Sequence, residues 1–242
     1  MTLEPTVVSP AQLPALLRSQ GYAVLDPRGV CELTGCTIAE LLALRPGWDE
    51  LPPDGYLKDG GRYRRRRHSC FVVEGESVMP APHRAHWQPV AYNALHGGMQ
   101  RWFEPMPSAV LQAPAWARVL RALGQVSSQL KGRQPWYVEA HQFRIDTEGG
   151  IGRPTPEGAH RDGVDLVAVF LVRREGIKGG ETRVFQADGP HGQRFTLTEP
   201  WSLLLLDDER VIHETTPIQP VAGQGHRDTL VLTFRAGGFQ GE

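Results

Sequence analysis

The sequence lacks any excess of charge of one sign: 26 Lys and Arg stand against 27 Asp and Glu. No overall field therefore draws the chain to nucleic acid or to an anionic membrane, and recognition must be local. Long apolar runs are missing as well. Nothing approaches the roughly 20 residues of a membrane-spanning helix, and Met1 to Gln20 has neither the basic start nor the apolar core of a secretory signal. A cytoplasmic protein with no nucleic-acid or membrane partner is expected. Cysteine is scarce: Cys31, Cys36 and Cys70 are odd in number and too few for a disulfide framework, which suits a reducing compartment. Their expected role is that of small buried apolar side chains. Internal repeats, linkers and low-complexity stretches are absent too. What the chain does have is 40 % hydrophobic residues over 242 positions, enough for one sizeable core and a single domain spanning 1–242.

Two grammars divide it. In "SPAQLPALLRSQGYAVL", Ser9 and Pro10 open a helix, Leu13, Leu16 and Leu17 recur at helical spacing, Gly21 ends it, and a strand follows at 22–25. "TIAELLALRPGW" repeats the pattern with Thr37 as cap and Pro46 and Gly47 as stop. Residues 1–50 thus read as a mainly helical N-terminal extension. A strand at 63–73 and a helix at 115–130 come next. From 136 to 235 the segments 136–145, 166–172, 182–186, 194–197, 202–206, 211–215 and 229–234 are short, β-branched and separated by Gly, Pro and Asp. The expectation is a mainly β fold with flanking helices, its core a jelly roll at 136–235.

Within that core, "GAHRDGVDL" places His160 and Asp162 two apart before an apolar run. If they begin a strand, both side chains point to one face with Cβ atoms about 6–7 Å apart, close enough to share an ion. Alone, such a pair reads first as a solvated polar couple before a strand. Downstream, "LLLLDDERVIHETTPI" brings His213 on a later strand, with room for intervening strands that return it to the same sheet. Two neutral imidazoles and a carboxylate leave coordination sites open, the set that suits non-haem Fe(II) and O2 chemistry. Such an iron needs an electron source. At the start of "RDTLVLTF", Arg227 and Thr229 face one way, and a guanidinium with a hydroxyl is a good receptor for a carboxylate.

His-x-Asp, a distal His and Arg-x-Thr on the last core strand resemble the Fe(II)/2-oxoglutarate-dependent dioxygenases, whose double-stranded β-helix is a jelly roll. "YLKDGGRYRRRRHS", "VEAHQFRI", "PTPEGAHRDGVDLV", "LLDDERVIHETTPI" and "RDTLVLTF" are similar, in that order, to the bacterial free L-amino-acid hydroxylases, over about Gly47 to Phe234. The resemblance implies that His160, Asp162 and His213 ligate iron, and that Arg227, helped by Thr229, holds the distal carboxylate of 2-oxoglutarate as cosubstrate, with ascorbate helpful in vitro. It further implies hydroxylation of an unactivated C–H of a free L-amino acid or close derivative for a specialised metabolite. Two rivals stand beside it: a non-catalytic metal- or carboxylate-binding jelly roll, and a dioxygenase acting on a carrier-bound or protein substrate. Which amino acid, which carbon, which stereochemistry and which oligomeric state stay open.

For the substrate, an α-carboxylate wants Arg and an α-ammonium wants a carboxylate or amide oxygen. In "VEAHQFRI" alternation sets Glu139, His141 and Phe143 against Gln142 and Arg144, and only one face enters a barrel. Gln142, Arg144, Asp165 and, from the arginine run, Arg66 are the substrate-binding candidates. That run, Arg64 to Arg67, reads otherwise as a strand edge split between two faces rather than a nucleic-acid patch. His83 and His86 have helical spacing without a further ligand nearby. "GIKGGET" reads as a hairpin rather than a phosphate cradle, and Ser202 sits in no nucleophile elbow to pair with His213.

Overall fold

A computed structural model describes residues 3–93 and 95–241. Twelve strands are assigned among them: β1 (Tyr22–Leu25), β2 (Arg64–Glu74), β3 (Ser77–Pro80), β4 (Trp136–Asp146), β5 (Leu166–Glu175), β6 (Ile177–Gly179), β7 (Thr182–Gln186), β8 (Gly192–Phe195), β9 (Leu203–Asp207), β10 (Val211–Thr215), β11 (Ile218–Pro220) and β12 (His226–Ala236). Helices α1 (Leu13–Gln20), α2 (Pro27–Thr34), α3 (Ile38–Leu42), α4 (Ser108–Leu111) and α5 (Pro114–Lys131) accompany them. A seven-stranded sheet runs in the order β1-β9-β5-β12-β4-β2-β3, antiparallel throughout. A three-stranded sheet, β10-β7-β8, and a pair, β11-β6, complete the jelly roll.

Period-two alternation sorts the large sheet into two faces. Leu166, Ala168, Phe170 and Val172 of β5, Leu230, Leu232 and Phe234 of β12, and Trp136, Val138 and Ala140 of β4 join Val119, Leu120 and Leu123 of α5 in one core behind the sheet. Val167 and Leu171 of β5 and Leu204 and Leu206 of β9 turn the other way, against Val184, Phe195 and Val211 of the smaller sheet. The second face continues along β4 and β12 as the wall of a cavity.

The N-terminal segment is knitted into this fold. β1 pairs with β9, extending the large sheet, and α1 and α2 share the core behind it. α2 is an element the sequence reading passed over, although Asp26 caps it by accepting from Gly29 N at 2.7 Å and Gly35 closes it in the left-handed region. "GIKGGET" requires a correction: β6 pairs with β11 and β7 with β10, so the glycines mark a change of sheet instead of a hairpin. Among the described residues no helix is long and apolar enough to cross a membrane.

Candidate active site

One backbone pairing brings the ends of the suspected triad together. His160 and His213 exchange both backbone hydrogen bonds at 3.0 Å, an isolated bridge that ties the loop before β5 to β10 and sets their rings 4.7 Å apart. Asp162, two residues on, turns to the same side. Its Oδ1 lies 3.8 Å from His160 Nε2 and its Oδ2 3.8 Å from His213 Nε2. Beneath, the wholly buried Asp208 accepts from the backbone N–H groups of Asp162, Gly163 and Val164 at 3.0, 2.7 and 3.1 Å. Gly163 is required there: its φ is +77°, and a Cβ would stand 2.5 Å from the Tyr92 ring.

The protonation pattern follows from the contacts. His160 Nδ1 donates to Gly158 O at 2.9 Å, which leaves Nε2 as the lone-pair nitrogen facing Asp162. Burial, seconded by repulsion from His160 whenever that ring carries a proton, lowers His213 to about 3, so its imidazole is neutral at ordinary pH. Burial also pushes Asp162 above the usual carboxylate range against the attraction of His160. Two neutral-capable nitrogens and a carboxylate oxygen, all within 4.8 Å of one another and separated by more than hydrogen-bond length, fit a divalent first-row metal.

A second group, His68, His86, Glu139 and His141, is equally close-set, yet differs in kind. His86 Nδ1 lies 2.5 Å from Glu139 Oε2 and His68 Nε2 lies 3.4 Å from it; the first is a hydrogen-bond length, with a proton between the atoms. Arg66, which can only donate, meets His141 Nδ1 at 2.8 Å, so the His141 proton sits on Nε2, facing Glu139 3.7 Å away. Glu139 is thus the hub of a hydrogen-bonded cluster in the cavity wall. Burial alone would raise its pKa, but His86 and His68 pull it well below the usual range.

Arg227 and Thr229 line the same cavity from β12. Arg227 is 4 % exposed, and burial, with Arg174 nearby, lowers it to about 10, which leaves it charged. Among the described residues its guanidinium has no hydrogen bond or ion pair. Asp228, the nearby anion, is engaged by Arg144; a buried cation with no direct partner is costly, and a carboxylate ligand would supply one.

Of the substrate candidates, Arg66 lines the cavity. It is 3 % exposed and its guanidinium carbon lies 3.9 Å from the Phe103 ring centre and 4.5 Å from that of Phe143. Gln142, Arg144 and Asp165 do not line it. Gln142 donates to Gly47 O at 3.2 Å behind the sheet, Arg144 makes a bidentate pair with buried Asp228 at 2.7 Å, and Asp165 accepts from Ala236 N at 2.8 Å. Their parity on β4 is that of Trp136, Val138 and Ala140, so the helix-side core claims Gln142 and Arg144. His83 is separated from His86, bonding Phe103 O at 2.8 Å. Of the arginine run, Arg64 and Arg66 point inward while Arg65 and Arg67 meet Asp146 and Glu104 outside.

Gln88, Arg101, Asp208 and the Glu139 hub escaped the sequence reading. Gln88 and Arg101 lie in an irregular segment with no periodic signal. Glu139 and His141 carried one, as the face of "VEAHQFRI" opposite to Gln142, but alternation does not tell which face is inner.

Comparison with known proteins agrees with this architecture. No protein of curated function matches the chain. The structure of a bsmA homologue from Methylobium petroleophilum is 54 % identical, with TM-score 0.93, over 98 % of this chain and 97 % of that one. IDO from Bacillus thuringiensis, at 18 % identity, TM-score 0.75, and 93 % and 97 % coverage, shares the fold. So does the Fe(II)/α-ketoglutarate-dependent dioxygenase TqaL, at 18 %, 0.72, and 96 % and 88 %. The family model described as 2OG-Fe dioxygenase matches residues 45–233. With most of its length matched, this chain belongs to the 2OG-Fe dioxygenase family and is a dioxygenase that uses Fe(II), 2-oxoglutarate and O2.

Proposed function

We propose that this single-domain enzyme hydroxylates an unactivated C–H bond of a free L-amino acid or close derivative. His160, Asp162 and His213 hold the iron, and Arg227 holds the distal carboxylate of 2-oxoglutarate with Thr229 beside it. The observation that carries this reading is the buried, unpaired guanidinium of Arg227 in the cavity that the triad lines. Iron with 2-oxoglutarate supplies oxidative decarboxylation to succinate and CO2, coupled to oxygen insertion.

The rest is positioning. Thr229 pairs with Phe143 on β4, and Phe143 with Arg66 on β2, so Arg66 stands two strand spacings, about 10 Å, from Thr229, with Arg227 two residues further along β12. That separation gives two carboxylate receptors in one cavity. Arg66 receives the substrate carboxylate, and Glu139 is the nearby anion for an ammonium. Val164, Val169 and Val231 supply apolar wall for a side chain and keep water from the reacting carbon.

The test is aerobic incubation with Fe(II), ascorbate, 2-oxoglutarate and a panel of free L-amino acids, including citrulline, arginine, lysine and the branched aliphatics. Mass spectrometry should find one product with one added oxygen, and succinate in step with it. Succinate without any hydroxylated amino acid would overturn the free-amino-acid reading and direct the search to carrier-bound or protein substrates.

A further inference from the structure

The irregular segment between β3 and α4 is closed by His86 and Arg101, which exchange backbone hydrogen bonds at 2.9 and 3.0 Å. Gln88, buried inside this closure, has both ends of its amide engaged. Its Oε1 accepts from Arg101 at 2.9 Å and from Asn93 Nδ2 at 3.1 Å. Arg101 has no acceptor atom, so the orientation of the Gln88 amide is dictated by chemistry and cannot be reversed without setting donor against donor. Asn93 is fixed in turn, since its Oδ1 accepts from His96 N at 2.7 Å. The Gln88 NH2 is therefore forced towards Asp162, whose Oδ1 it reaches at 3.1 Å. Among the described residues this is the one hydrogen bond made by the Asp162 carboxylate.

From this geometry we infer that Gln88 is a positioning residue for the metal site: oriented by Arg101, it fixes the rotation of the Asp162 carboxylate and leaves Oδ2 as the ligating oxygen. The inference rests on the reading of Asp162 as a metal ligand. Asp208 already clamps the backbone of residues 162–164, but it does not restrain the side-chain rotation. Gln88 does. Without it the carboxylate must order itself when metal arrives, and partners of this kind are typically worth about 10- to 100-fold in metal affinity. Arg101 acts only through Gln88, so its removal should have no further effect once Gln88 is gone.

The test is Mn(II) binding to the full-length protein by calorimetry, without turnover, for the wild type, Gln88→Leu, Gln88→Met, Arg101→Met, the Gln88→Leu/Arg101→Met double variant and Asp162→Ala. Thermal unfolding of each metal-free variant identifies any that fail to fold, and the two Gln88 variants substitute for each other. The expected result is a 10- to 100-fold loss for either Gln88 variant, a smaller loss for Arg101→Met, and a double variant no weaker than Gln88→Leu. Mn(II) affinity within twofold of wild type in a folded Gln88 variant, with binding lost in Asp162→Ala, would overturn the role of Gln88 and leave the ligand reading standing. Losses that add in the double variant would overturn the dependence on Arg101. Unchanged binding by Asp162→Ala would overturn both readings.

Discussion

Arg227 shows how a single side chain acquires a task from its surroundings. A guanidinium at the surface needs no partner, but this one is buried on a strand face with a cavity before it. On the reading that it receives the distal carboxylate of 2-oxoglutarate, Arg227→Ala should raise the KM for 2-oxoglutarate on the order of 100-fold, the usual scale for truncating one member of a desolvated charge pair. Arg227→Lys should recover part of the loss, because an ammonium keeps the charge without the planar fork. Initial rates against 2-oxoglutarate concentration decide it. An unchanged KM in the alanine variant would remove Arg227 from the cosubstrate site.

At the scale of elements, β2 and β4 carry their chemistry in register. His68 pairs with His141 across the two strands, and the rings stack at 4.7 Å beside Glu139 and His86. Burial holds His86 down to about 3 despite Glu139. The unfolded chain takes up a proton near pH 6.5 that the folded imidazole refuses, so this contribution to stability is full above that value and is lost as pH falls towards 3. Glu139, depressed by its histidine donors, adds a further loss below the ordinary carboxylate pKa. Denaturant titrations between pH 7 and pH 5 should show stability falling with acid. In His86→Gln the slope below pH 6 should be shallower by up to about 1.4 kcal/mol per pH unit, the value of one proton. An identical slope would mean that His86 is already protonated in the fold.

For the whole molecule, the site couples ligand binding to folding because its parts come from distant stretches of chain. The His160, Asp162 and His213 cluster draws on the loop before β5 and on β10, and Arg227, proposed as the carboxylate receptor, comes from β12. Ligands that bind only the assembled site stabilise all of these together. With Mn(II) and 2-oxoglutarate each at about 100 times its dissociation constant, the gain is about 2.7 kcal/mol per ligand, about 5.4 kcal/mol together, which for a chain of this length raises the Tm by about 11–22 °C. His160→Ala should lose most of that rise while keeping a similar Tm without ligands. A full rise in the variant would count against His160 as a ligand.

By itself the sequence determined which residues are able to share a face. The two-residue spacing of Arg227 with Thr229 is a backbone fact on a strand, and the alternation along β4, β5 and β12 divided core from cavity because extended chain repeats every two residues; His160 and Asp162 lie in the loop before β5, and it is the bridge to His213 and the Asp208 clamp that hold them on one side. The short β-rich segments after residue 136 announced the jelly roll, and the proline- and glycine-bounded leucines announced the early helices. Tertiary structure decided which alternate set looked inward. "VEAHQFRI" presents polar groups on both faces, and it is α5, covering Trp136, Val138 and Ala140, that sends Gln142 and Arg144 behind the sheet and leaves Glu139 and His141 to the cavity. Tertiary structure alone also brought Gln88 and Arg101 to Asp162. Their segment has no periodicity to read, and its shape comes from hydrogen bonds between residues far apart in the chain.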